Sequence, residues 1–577
     1  MNYDFSKIED NNKPTFWCYR FVEELYALGL RHVIISPGSR STPLALSFDV
    51  HAGFIKQVVL DERSAAYIGL GIGKTTGVPA VLVCTSGTAA ANYFPAIIEA
   101  RQSETPLLVL TADRPPNQRF IGSSQTIDQT KLYGDYPLFF HDAGEPVLQN
   151  DDLNRLSVLA CQAAETCMIP GGPVHINFPF RKPLEPGIDF LGELHDISTL
   201  QISNSIDPYL ETSRSKPETS LPDDILTLIN RAKRPVVISG PRSVFQPGGN
   251  RIIEFAERIS APLLAESSSQ VKGKSQSIIR GYDSFLRSVN TRQSLEPDLI
   301  IRTGKVPVSK GLELLLKNSP KAFHVHLYES ETPQNAFLLP GLRTKVDWET
   351  LDISGLEYRT KDNLRRWQQQ SNQYQQRMVG LLNKANQLAD PHVYFDLISL
   401  IPKGFNIVLS NSFPVRDFDM FGDFSNDSHS IIVNRGAAGI DGVTSTAIGT
   451  GLGNNKGTVL FTGDLAFLHD TNALQQIEEF QKNRPLVIIV VNNQGGSIFR
   501  MLPFDEKNDQ YFKLFETPQS VNINDLVKAH NGRVLSVSNR GDMITGFKSL
   551  VKMNSLSVLE CVTNSDASMH IRQSLWK

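Results

Sequence analysis

The sequence predicts an α/β protein made of three doubly wound, parallel-sheet domains. Short apolar runs such as HVIIS, VPAVLVC, PLLVLT, PDLIIRTG, FNIVLS, SIIVN, PLVIIVV and SLSVLECV alternate with helical stretches, and most runs end in a glycine or polar turn. The chain has 577 residues, more than one core can serve, so two to four domains are expected. We place the domains at residues 1–188, 189–356 with a leading linker, and 357–577.

Composition narrows the class. Forty per cent hydrophobic and 20% charged residues are ordinary for a globular protein, and a net charge of −3 argues against nucleic acid as a partner. Cys18, Cys84, Cys161, Cys167 and Cys561 are odd in number and form no CxxC pair, which fits a reduced cytosol. The polar start MNYDFSKIEDNNKP lacks the basic-then-apolar order of a signal peptide, and runs such as PLVIIVV are too short to span a bilayer. The expectation is a cytoplasmic protein with no membrane partner.

In the first domain Trp17, Phe21, Leu25 and Leu28 recur at helical spacing, and Gly29 is placed to end that helix. The strand HVIIS then leads into PGSRSTPL. VVLDERSAAYIGLGIGK puts Glu62 at the end of an apolar strand, before a helix of small residues; its carboxylate can cap that helix or serve chemistry. Gly73-Lys74-Thr75 resembles the end of a phosphate loop, but the required earlier glycine falls on Ile68. Gly69-Leu70-Gly71 likewise lacks its third glycine where Lys74 stands, so neither an ATP nor a dinucleotide site is predicted. After HINFPFRKPLEP, the Ser-, Thr- and Pro-rich stretch 200–222 reads as a linker.

PVVISGP, PDLIIRTG and AFHVHLYES supply strands of a second domain, whose loop RTGKVPVSKG offers Lys305 and Lys310. YRTKDNLRRWQQQSNQYQQRMVGLLNKANQLAD has no Gly or Pro before Gly380, so a connecting helix is expected, with Trp367 and Met378 as packing residues.

The third domain contains the most informative unit. GTVLF ends in Thr462-Gly463-Asp464, a helical segment follows with Leu474, Ile477 and Phe480, and PLVIIVV ends in Asn492-Asn493-Gln494-Gly495-Gly496. In a right-handed crossover both strand ends lie on the sheet edge where open α/β sheets bind ligands. The Asp464 carboxylate, the Asn493 amide and the Gly495 carbonyl would make a hard, incomplete oxygen set. Such a set suits Mg²⁺, which completes its shell with water and phosphate. An Asp cap or an Asn turn explains either end alone, but not both together.

Asp464 with Asn492-Asn493 one helix later, flanked by strands, resembles the motif of thiamine diphosphate-dependent enzymes, with Leu465 where the usual form has another glycine. PGSRSTPL, DERSA, TSGTAAAN, TADRPP, NRGAAGIDG, GDLAF and NNQGGSIF together resemble the thiamine diphosphate-dependent synthases of menaquinone biosynthesis. The resemblance implies a pyrimidine-binding-type domain, a central domain and a diphosphate-binding-type domain, with thiamine diphosphate and Mg²⁺ or Mn²⁺ as cofactors. It also implies decarboxylation of 2-oxoglutarate and conjugate addition of the four-carbon unit to isochorismate.

Residue by residue, Glu62 matches the glutamate that shares a proton with N1′ of the cofactor's pyrimidine. Ile440 matches the aliphatic wedge that keeps the cofactor bent. Ile498 and Phe499 offer apolar wall, with core packing of the next helix as the alternative. Both substrates are dianions, and Arg40, Arg114, Arg416 and Arg435 sit in turns just after strands, where planar guanidinium forks can clamp carboxylates. Ser39, Gln125, Lys310 and Ser412 join them. Taken singly, each arginine could instead serve an ion pair. Gly311 departs from relatives that carry a second basic residue after the lysine. No paired histidines are evident, which suits a carbanion that must survive until its acceptor arrives. A homodimer is the implied minimum, with a tetramer allowed. The alternatives are an acetolactate-synthase-like carboligase or 2-oxoacid decarboxylase, and a non-catalytic relative that keeps the fold.

Overall fold

The computed structural model describes residues 7–199, 219–330, 336–423, 428–480, 484–502 and 509–576; part of the predicted linker, 200–218, lies outside the described residues. The apolar runs named above become strands of parallel sheets, except that VVL before Glu62 gives only Val58 to its strand. The first sheet comprises β1 (His32–Ile35), β2 (Ile55–Val58), β3 (Ala80–Cys84), β4 (Leu107–Asp113), β5 (Phe139–Asp142) and β6 (Pro173–Pro179), in the order β2-β1-β3-β4-β6-β5. The second comprises β7 (Pro235–Ser239), β8 (Leu263–Ala265), β9 (Leu299–Thr303), β10 (Phe323–Tyr328) and β11 (Leu342–Lys345), in the order β11-β10-β9-β7-β8. The third comprises β12 (Asn406–Leu409), β13 (Ser430–Val433), β14 (Thr458–Gly463), β15 (Leu486–Asn492), β16 (Arg533–Val537) and β17 (Leu556–Val562), in the order β13-β12-β14-β15-β17-β16. All ladders are parallel. Helices cover both faces, so central strands such as β4 are buried along their whole length and read as continuous apolar runs. The predicted fold class is the observed one.

By contact the chain divides into two compact units. One contains Met1–Ser213, Asn434–Asn455 and His469–Gln476 and holds the first sheet; the other contains Arg214–Val433, Lys456–Leu468 and Ile477–Lys577 and holds the other two. In the first, helix Lys13–Ala27 buries Trp17, Phe21 and Leu25, and Gly29 follows its end at φ +96°, as the spacing predicts. The glycines of the GLGIG run, which fit no nucleotide motif, serve packing instead. A Cβ on Gly71 would lie 2.2 Å from the Thr446 carbonyl oxygen, and one on Gly449 1.9 Å from that of Ile68. Helices Glu62–Thr76 and Val443–Asn454 therefore meet backbone to backbone. In the second unit, helix Asp362–Lys384 runs unbroken through Gly380 and buries Trp367 and Met378. No described helix is long and apolar enough to cross a membrane.

β14 and β15 are adjacent, with Gly463 opposite Val491, so their polar ends share an edge. The segment between them departs from expectation. It is not one helix but a helix at Asp464–His469, a 3-10 stretch at Thr471–Gln476 and a short helix at Ile477–Phe480. The break falls at Asp470, a fully buried residue whose carboxylate accepts from the Ser445 N–H at 2.7 Å and the Ser445 hydroxyl at 3.0 Å.

Burial pushes the Asp470 carboxyl up to about 6, against the pull of Ser445 and Arg63. Because the folded value lies above the unfolded one, the group favours folding below the ordinary carboxylate range. That contribution is lost as pH rises from roughly 4 to about 6. Asp470→Asn keeps an acceptor for the Ser445 N–H and is expected to be more stable than wild type at pH 7, by on the order of 2 kcal/mol, with the difference vanishing near pH 4. Denaturation curves across that window check this; a difference independent of pH would remove Asp470 from the titration.

Candidate active site

The turn after β14 and the turn after β15 meet through one hydrogen bond. Asp464, 5% exposed, accepts the Gly495 N–H on Oδ2 at 2.7 Å and the Leu465 N–H on Oδ1 at 2.8 Å. Burial pushes its carboxyl up to about 6; the two N–H groups oppose the rise and the charge of Asp390 adds to it. Asn493 donates its Nδ2 to Asp390 Oδ2 at 3.0 Å, while its Oδ1 is buried without a hydrogen-bond partner among the described residues. Gln494 at φ +64° and Gly495 at φ +135° then reverse the chain. A Cβ at Gly495 would lie 2.4 Å from the Glu516 carbonyl oxygen, so this turn requires glycine. The Gly495 carbonyl accepts the Ser497 N–H at 2.9 Å and keeps a second lone pair.

Asp464 thus bonds to the turn that carries Asn493 and Gly495, and the buried Asn493 Oδ1 has the chemistry a hard cation takes. No group of three or more His, Cys, Asp or Glu able to hold a metal occurs among the described residues. A cation here would therefore complete its shell from water and a ligand's phosphates. Beyond the turn, Ile498 is half-buried and Phe499 is 37% exposed, with its ring 5.6 Å from that of Phe515.

In the same unit Ser412 adopts φ +72°, unusual for a residue other than glycine, at the start of helix Phe413–Phe421, without a capping bond from its hydroxyl. Its carbonyl accepts Nη1 of Arg416 at 2.6 Å. Arg416 and Ser309 line a small cavity with Asp283 and Asp419. Lys310 instead pairs with Glu313 at 2.9 Å along its own helix, half exposed. Gly311 is dictated by packing: a Cβ there would lie 2.5 Å from the Asp283 carbonyl oxygen, so a basic side chain at this position does not fit.

In the other unit, Glu62 opens helix Glu62–Thr76, and Val59–Asp61 separate it from β2, so it stands on a helix and not on a strand end. Capping is done by Asp61, whose Oδ1 accepts the Ser64 N–H at 2.9 Å. Glu62 is half-buried and makes no hydrogen bond or ion pair among the described residues. The capping alternative is thereby taken by its neighbour.

Arg40 is buried; its N–H donates to Thr85 Oγ1 at 3.2 Å and its Nη1 to the Phe180 carbonyl at 2.8 Å. Burial and then the charge of Arg114 hold its guanidinium below the usual value. Asp113, between them in charge, is already served by Arg119 at 2.9 Å and by Asn177 at 2.9 Å. Nε of Arg114 is buried without a partner among the described residues. The charges of Asp113 and Glu185 oppose the lowering at Arg40, and Asp113 is shared with Arg119 and Asn177. Beside this sequence Ser39 is exposed, and Gln125, at φ +54°, donates Nε2 to the Ser86 carbonyl at 3.2 Å.

The small residues after Asn434 approach a partner that the sequence did not reveal. Glu99, 2% exposed, accepts the N–H groups of Gly436 and Ala437 at 2.9 and 2.6 Å and pairs with Lys74 at 3.3 Å. The only sequence signal was an acid inside the apolar PAIIEA. Arg435 is half-buried beside this loop, and Ile440 is 38% exposed, outside the core.

Residues 20–132 match the family described as thiamine pyrophosphate enzyme, N-terminal TPP binding domain, and residues 423–561 its C-terminal TPP binding domain. Fold and site therefore define a thiamine diphosphate-dependent enzyme. Relatives named 2-succinyl-5-enolpyruvyl-6-hydroxy-3-cyclohexene-1-carboxylate synthase align along nearly the whole chain. The protein from Haloquadratum walsbyi is 34% identical over 616 positions, covering 98% of each chain. That from Oceanobacillus iheyensis is 33% identical over 577, covering 98% of this chain and 97% of its own. That from Gloeothece citriformis is 34% identical over 548, covering 91% of each. The chain belongs to the 2-succinyl-5-enolpyruvyl-6-hydroxy-3-cyclohexene-1-carboxylate synthase family.

Proposed function

We propose that the protein decarboxylates 2-oxoglutarate and adds the resulting succinyl carbanion equivalent to isochorismate. The products are 2-succinyl-5-enolpyruvyl-6-hydroxy-3-cyclohexene-1-carboxylate and carbon dioxide, in menaquinone biosynthesis. The observation that supports the substrate class is the Arg40–Arg114 pair, in which the charge of Arg114 acts on Arg40 and Nε of Arg114 is buried without a partner among the described residues. A dianionic substrate supplies carboxylates that guanidinium groups bind. Bound thiamine diphosphate supplies a carbon nucleophile and an electron sink for the departing carboxylate's electrons. Asp464, Asn493 and the Gly495 carbonyl would hold Mg²⁺ or Mn²⁺ and, through it, the diphosphate. Glu62 would share a proton with the cofactor's pyrimidine, and Ile440 would pack against the cofactor.

Ile498 and Phe499 exclude water, while Arg416, Arg435, Ser39, Gln125, Ser412 and Lys310 complete the carboxylate contacts. We further propose domains at 1–188, 189–356 and 357–577, a cytoplasmic location, and a homodimer or a tetramer built from it. In that dimer Glu62 of one chain serves the cofactor bound at Asp464 of another. The test is carbon dioxide release from 2-oxoglutarate with thiamine diphosphate and Mg²⁺, with and without isochorismate, following the adduct by mass. An adduct of isochorismate plus the succinic semialdehyde unit is expected. Release from pyruvate but not 2-oxoglutarate would favour the acetolactate-synthase-like reading instead.

A further inference from the structure

An amide that must offer its oxygen to a cation has an orientation problem. The oxygen and NH2 ends are nearly the same size, and only the surrounding hydrogen bonds decide which one faces the site. At Asn493 the decision is made by Asp390, whose Oδ2 accepts Nδ2 at 3.0 Å, leaving Oδ1 buried and without a partner among the described residues. Turning the amide over would set its oxygen against a carboxylate, two acceptors facing each other.

Asp390 is itself held from every side. Its own N–H donates to Ser568 Oγ at 2.9 Å, its Oδ1 accepts Thr563 Oγ1 at 2.6 Å, and its Oδ2 accepts Nη2 of Arg572 at 2.8 Å. Arg572 donates Nε to Asp417 Oδ1 at 2.9 Å and Nη2 to Asp417 Oδ2, and its guanidinium carbon lies 3.7 Å from the centre of the Phe413 ring. Asp390, Asp417 and Arg572 are 1%, 0% and 0% exposed. Two buried carboxylates on one guanidinium are a poor way to stabilise a fold, since apolar residues of the same volume commonly do as well or better. Such a trio invites another use, and the bond it makes to the turn after β15 is the one from the Asn493 amide.

We propose that Asp390 is a positioning residue that, held by Arg572 and Asp417, fixes the Asn493 amide so that its oxygen faces a divalent cation bound with Asp464. This rests on the metal site proposed above. The test is Mn²⁺ binding to the full chain with thiamine diphosphate present, read from the electron paramagnetic resonance signal of free Mn²⁺, beside a thermal melt. Asp390→Leu is expected to weaken Mn²⁺ about 10- to 100-fold, the usual consequence of losing an outer partner of a metal ligand. Asp390→Asn should retain wild-type affinity, because its carboxamide oxygen still accepts from Asn493 and Arg572.

If Asp390→Leu fails to fold because Arg572 is left partly uncompensated, the variant Asp390→Leu/Asp417→Leu/Arg572→Met removes all three charges together and carries the same expected loss. Wild-type Mn²⁺ affinity in a folded Asp390→Leu or triple variant, with Asp464→Ala unable to bind, would overturn the positioning role alone. Wild-type affinity in Asp464→Ala would overturn the metal site, and the role of Asp390 with it.

Discussion

Glu62→Gln is expected to lower turnover by on the order of a hundredfold or more, in line with loss of a general acid/base group, while cofactor and metal still bind. The introduced glutamine keeps the size of the side chain and can hydrogen-bond, but it cannot exchange a proton with a pyrimidine nitrogen. The structure makes this substitution a clean one. Asp61, not Glu62, caps the helix, and Glu62 has no hydrogen bond or ion pair among the described residues, so little stability is at stake. Turnover should therefore fall without a matching change in melting temperature or in titrated thiamine diphosphate affinity. Full activity in Glu62→Gln would remove the residue from the chemistry.

Asp464→Ala is expected to abolish metal-dependent cofactor binding, with the affinity for thiamine diphosphate at fixed Mg²⁺ falling more than about a hundredfold, beyond what loss of an outer partner costs. The carboxylate is the only charged member of its oxygen set, so no neighbour can replace it. Its removal also frees the Gly495 N–H that joins the two turns, but burial already opposes its charge, and the two effects offset in the unliganded protein. Calorimetric titration checks the binding, and a melt shows that the variant folds. Unchanged affinity would move the metal site elsewhere.

How much was legible in the sequence depended on where each element sits. The strands read from apolar runs are mostly interior strands, buried on both faces. Those not read, β5, β8, β11 and β16, are all sheet edges, where one side meets solvent or loop and the apolar run breaks up. The Asp464 to Gly495 turn was legible because strand ends, glycine and polar side chains occur together locally. Gly311 and the GLGIG glycines could be noticed but not explained, since what they approach, Asp283 and Thr446, is distant in sequence.

The sequence by itself therefore determined the α/β class, the polar turns at Asp464 and Asn493, and the arginines placed in turns after strands, because each is written in neighbouring residues. Tertiary structure alone decided what the buried carboxylates serve. Glu99 is taken by the loop at Gly436, and Asp390 by Arg572 and the amide of Asn493. A buried charge must find its partner wherever the fold brings one, and no local pattern records partners a hundred or more residues away.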